Sequence, residues 1–112
     1  LKTDIQPIDG SLAKVLSLNG YTFNWKSEAE GKRDAGLIAQ EVIDIFPEAV
    51  FINPYDGYYG INYSRFPALF VEAFKEQNCK IEEQQKMIQS QKEKITDLEE
   101  RLSHLEELLL NN

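Results

Sequence analysis

Cysteine and histidine are nearly missing from this 112-residue chain, with Cys79 and His104 each standing alone. A single cysteine closes no internal disulfide and leaves the redox compartment open. Neither residue has a second ligand of suitable type three or four positions away, so no metal site and no cofactor are expected. Long apolar runs are absent too, and a bilayer span needs about 20 such residues, so a membrane is not an expected partner. Positive charge is in short supply: 12 Lys and Arg stand against 19 Asp and Glu, a net charge of -7. An acidic chain gains nothing from counterion release on DNA, which sets nucleic acid aside. The chain does not begin with Met and has no basic-then-apolar leader, which reads as a fragment or a processed product.

What is present is ordinary globular material. Hydrophobic residues make up 42% and charged residues 28%, which excludes a collagen-like or mostly disordered chain. The length allows one domain rather than two independent ones. Glycine and proline divide it. Residues 1–63 hold all six Gly and three of the four Pro, whereas residues 64–112 hold no Gly and only Pro67. Charge does not divide it, since both halves are mildly acidic.

Residues 1–63 read as short mixed elements. Asp9-Gly10-Ser11 is a turn that can cap a helix over 11–18. Asn19-Gly20 ends that helix, and Tyr21, Phe23 and Trp25 alternate with polar residues as in a half-buried strand. Residues 27–34 read as a polar loop, 35–38 as a strand, 40–46 as a short helix stopped by Pro47, and 49–52 and 58–63 as strands. Loop tyrosines such as Tyr55, Tyr58 and Tyr59 ordinarily pack against their own domain. Asp34, Glu41 and Asp44 read as solvated carboxylates rather than an acid/base set. A 63-residue unit of this kind buries only ~60% of its surface, so it needs support from outside.

Residues 64–112 supply that support. Ser64 is a candidate N-cap, Pro67 falls in the first turn, and no further breaker precedes Asn111. Phe74, Ile81, Ile88, Ile95, Leu102 and Leu109 recur every seven residues as position a, with Phe70, Gln77, Gln84, Gln91, Leu98 and Leu105 at position d. A helix over 65–110 would run ~70 Å and must find copies of itself or a partner. The Gln layers fix register at a cost in stability. Lys94 and Arg101 at g stand five residues before Glu99 and Glu106 at e, the pattern of a parallel, in-register assembly. The expected fold class is α+β: a small mixed head over 1–63 and a long helix over 64–112 forming a parallel homotrimeric coiled coil.

Two stretches carry more specific information. One is Leu1-Lys2-Thr3-Asp4-Ile5-Gln6-Pro7-Ile8. The other is Gly36-Leu37-Ile38-Ala39-Gln40-Glu41-Val42, followed by Phe46-Pro47-Glu48-Ala49-Val50 and Ile61-Asn62-Tyr63. With the long helix behind them they resemble the C-terminal intramolecular chaperone domain of phage tailspikes, tail fibres and neck appendages, a self-processing serine peptidase family. A similar domain occurs in membrane-bound eukaryotic transcription factors.

The resemblance implies a homotrimer that registers three chains, assists folding of the fibre upstream, and then cuts itself off. The implied partners are two identical chains and, before cleavage, the upstream fibre or appendage. The implied setting is a virion precursor assembled in the host cytoplasm, with the domain released afterwards. The implied cut uses a Ser–Lys dyad in a Ser-Asp-x-Arg-Leu-Lys motif. Lys2 matches its lysine and Leu1 the preceding residue; the Ser, Asp and Arg are not in this sequence, so the chain as given has no nucleophile. Gln40 and Glu41 either orient the cleavage site or cap the short helix. A permanent attachment or receptor-binding tip, and a trimerising domain of a self-cleaving cellular regulator, are the competing expectations.

Overall fold

Leu69 is fully buried, and the head is built around it. The computed structural model describes residues 1–26 and 31–111. The elements in order are α1 (Ser11–Ser17), β1 (Tyr21–Asn24), β2 (Arg33–Gly36), α2 (Ala39–Ile45), a 3-10 turn (Pro47–Ala49), β3 (Val50–Ile52), β4 (Tyr59–Ile61), a second 3-10 turn (Tyr63–Arg65) and α3 (Phe66–Leu110). A small head of short strands and helices followed by a long C-terminal helix is the architecture expected from the sequence. By internal packing the chain divides into Leu1–Glu76 and Gln77–Asn112.

Within the first unit, the core is Val42 and Phe46 from α2 and its end, Ala49 from the 3-10 turn, and Phe66 and Leu69 from α3. Ile8, Val15, Leu18, Leu37, Ile45, Val50 and Ile61 pack around it. Phe66, Leu69 and Ala73 are the buried residues of α3. Their spacing of three, four and seven places them on one helical face. The head therefore takes two core side chains from the long helix, which is how so short a run of mixed elements buries enough surface.

Two antiparallel hairpins complete the unit. β1 pairs β2 with Tyr21 opposite Gly36 and Asn24 opposite Arg33; β3 pairs β4 with Val50 opposite Ile61 and Ile52 opposite Tyr59. The polar loop expected over 27–34 lies partly outside the described residues, at 27–30. β2 ends at Gly36 instead of running to Ile38. The reason is local: the Ile38 carbonyl accepts from Glu41 N and Val42 N, so Leu37 and Ile38 lead into α2. The aromatic face of β1 keeps its strand period but is not core. Tyr21 and Trp25 are exposed and only Phe23 is partly buried, because Val42, Phe46, Phe66 and Leu69 already fill the interior.

Capping differs from expectation as well. Ser64 does not cap α3; it lies inside the second 3-10 turn, where Asn62 Oδ1 accepts from Ser64 N at 3.2 Å and from Ser64 Oγ at 2.6 Å. Pro67 sits in the first turn of α3. α1 begins at Ser11 as expected, with Gly10 at the N-cap position and no side-chain cap from the turn, and Ser11 Oγ donates to Ile8 O at 2.8 Å.

The second unit is the remainder of α3, and every described residue in it is exposed. No described helix is long and apolar enough to cross a membrane.

Candidate functional site

Gly36 closes β2 against a ring. A Cβ there would stand 2.5 Å from Tyr63 Oη. That hydroxyl accepts from Leu37 N at 3.0 Å, so the phenol substitutes for a strand partner just where the chain turns into α2. Gln40 is exposed in the first turn of α2, and α2 has no side-chain cap. Glu41 is half-buried, and both its carboxylate oxygens accept from Tyr21 Oη, at 3.1 and 3.0 Å.

Tyr21, Phe23, Trp25, Asp34, Gln40 and Tyr63 line an open groove of about 570 Å³ on the head. Phe23 and Trp25 meet edge to face with centroids 5.0 Å apart. Trp25 Nε1 donates to Asp34 Oδ2 at 2.9 Å, and Ala35 N donates to Asp34 Oδ1 at 2.8 Å. These bonds, the indole's first, hold the Asp34 carboxyl below the usual carboxylate range. The bond to Glu41, then desolvation, then the charge of Glu41 push the Tyr21 phenol above its ordinary value. Asp34 and Glu41 thus each have a structural partner, and Asp44 is exposed. Lys2 is exposed in the irregular segment before α1 and does not line this groove. Among the described residues its amine makes no ion pair.

A tight loop joins β3 to β4. Asn53 Oδ1 accepts from Tyr55 N and Asp56 Oδ1 from Tyr58 N, both at 2.9 Å, and Gly57 adopts φ 73°, a left-handed conformation that suits glycine. The loop holds its tyrosines outward. Tyr55 is 96% exposed and Tyr58 74%, which overturns the expectation that they pack against their own domain.

The heptad positions a and d of α3 carry a row of exposed apolar residues. Phe74, Ile81, Ile88, Ile95, Leu102 and Leu109, with Leu98 and Leu105, are all exposed large hydrophobics. Gln77, Gln84 and Gln91 lie between them and make no side-chain hydrogen bond among the described residues. Arg101 pairs with Asp97 of its own helix at 3.7 Å. No cluster of three or more His, Cys, Asp or Glu suited to a metal occurs among the described residues.

Tyr63, Tyr21 and Asn62 escaped the sequence reading as site residues. The partners of Tyr21 and Tyr63 lie 20 and 26 positions away, and no spacing rule reaches that far. Asn62 carried a signal that could have found it, because an Asx cap two residues before Ser64 is a local pattern.

Residues 1–51 match the peptidase family described as chaperone of endosialidase. The resemblance read from the sequence is borne out over those residues. The long tail fiber proteins Gp37 of Enterobacteria phage K3 and Enterobacteria phage T2 are each 41% identical to this chain over 54 residues, 45% of its length. The chain spans about 4% of the length of these relatives.

Proposed function

We propose that this chain, matched over its first 51 residues by the chaperone-of-endosialidase family, is an intramolecular chaperone for a phage tail fibre, spike or appendage. Three copies form a parallel coiled coil along α3, register the attached fibre chains, and are released by self-cleavage. The observation that carries the reading is the row of exposed apolar residues at a and d of α3.

The magnitudes favour burial as the driving term. A Leu or Ile side chain moved from water into a core is worth about 1.5–3 kcal/mol. A surface ion pair such as Lys94 with Glu99 of a neighbour is worth at most ~1 kcal/mol. Apolar residues drive association; charges and Gln layers choose direction and register. Registering long fibre chains is slow because non-local contacts form late and exposed edges aggregate. A helical bundle raises the effective concentration of the attached chains and gives them a common start.

In the longer polypeptide, a serine upstream of Lys2 is the nucleophile and Lys2 takes its hydroxyl proton. A lysine does this only when neutral, a state that burial favours. Assembly that encloses Lys2 would therefore switch the cut on. As a virion-associated domain it acts before the mature fibre is complete.

Light scattering on the purified chain tests assembly: the expected mass is that of three chains, and Ile88→Asp is expected to give monomers. A monomeric parent protein at micromolar concentration overturns the proposal. In a precursor carrying the upstream motif, Lys2→Ala should abolish cleavage and leave the trimer intact. The outward Tyr55 and Tyr58 favour a second reading, a permanent attachment tip. Finding the segment retained in mature virions would select it.

A further inference from the structure

The structure points to Glu76 as a positioning residue: we infer that its carboxylate is the latch by which the long helix orders α1 and the segment carrying Lys2. This rests on the chaperone reading for its consequence on cleavage, but not for the latch itself.

The N-terminus of α1 has no cap of its own. Its N-cap is Gly10, which has no side chain to offer. The acceptor comes from 65 residues away: Glu76 Oε1 receives Ser11 N at 2.8 Å, and Glu76 Oε2 receives Leu12 N at 3.4 Å. Ser11 is fully enclosed, so its N–H loses a buried partner when the carboxylate is removed. A negative charge beside the first amides of a helix is also favourable in itself.

Glu76 lies in α3 three residues beyond Ala73, the last buried residue of that helix, and just before Gln77, the first polar layer of the seam. The carboxylate reaches α1 only when α3 is helical through this point. A seven-residue helix has little stability alone, so α1 depends on the packing of Val15 against the core together with this tie. Residues 1–8 run directly into α1, and Ile8 is both packed on the core and bonded to Ser11. The latch therefore imposes an order: long helix first, N-terminal segment second. A cut at that segment would wait for the helix that assembles the chains.

Amide exchange on the 112-residue chain and processing of a precursor with the upstream motif, each as Glu76→Ala and Glu76→Gln, test this. In Glu76→Ala, protection of Ser11 and Leu12 should fall ~10-fold, and processing should slow by a similar factor at unchanged trimer mass. Glu76→Gln keeps one acceptor oxygen and should recover part of both together. Lost protection with processing at the parent rate overturns the coupling, as does full protection in Glu76→Ala. If Glu76→Ala unfolds the head, Glu76→Gln decides on the same two readouts. A parent precursor that neither trimerises nor cleaves would defeat the chaperone reading, while exchange at Ser11 and Leu12 would still test the latch.

Discussion

Gly36 illustrates how one residue in a recognisable motif acquires a physical reason. The space a methyl would need is held by Tyr63 Oη, which also accepts from Leu37 N. Gly36→Ala must push the half-exposed phenol aside and break that bond. Crowding and the lost hydrogen bond together should cost about 1–3 kcal/mol, measurable by urea unfolding. Titration reports on two neighbouring residues. Tyr21 is held protonated by Glu41, so its contribution to stability is full below the ordinary phenol range and is lost as pH rises through its raised folded value. Glu41→Gln should bring the Tyr21 titration down toward its ordinary value in ultraviolet absorbance. Asp34 has the opposite sign. Its folded value is lowered, so its contribution is present above the ordinary carboxylate range and disappears as pH falls through the lowered one. Trp25→Phe removes the first cause and should raise the Asp34 titration observed by NMR.

Among the elements, α3 serves two environments along its length. Its first turns belong to the head, where Phe66, Leu69 and Ala73 are buried; past Glu76 its apolar residues face solvent in a single chain. Leu69→Ala leaves a hole in a core of few side chains, so the expected loss is about 2–5 kcal/mol, read by thermal unfolding of the head. The short elements are held from a distance. α1 leans on Glu76, and α2 lacks a side-chain cap while its Glu41 is bonded to Tyr21 on β1. Local propensity located both helices, yet their stabilising partners come from elsewhere in the chain.

For the whole molecule, on the chaperone reading, the Gln layers exchange stability for uniqueness of register. Replacing Gln77, Gln84 and Gln91 together by Leu should raise the melting temperature of the assembly and broaden the distribution of oligomeric states in analytical ultracentrifugation. A single sharp trimer in that variant would show that the glutamines are not what sets strand number.

Periodicity was enough to place the long helix and most of the short elements, because repeat spacing and turn residues are local properties of a chain. The Gly-Leu-Ile-Ala-Gln-Glu-Val stretch from Gly36 pointed to the family for the same reason: it is contiguous. The order of residues could not say that the aromatic stripe of β1 faces an open groove, that Tyr63 stands over Gly36, or that a carboxylate at position 76 caps a helix beginning at position 11. Those facts depend on which surfaces meet once the core around Leu69 has closed, and only the folded chain decides that.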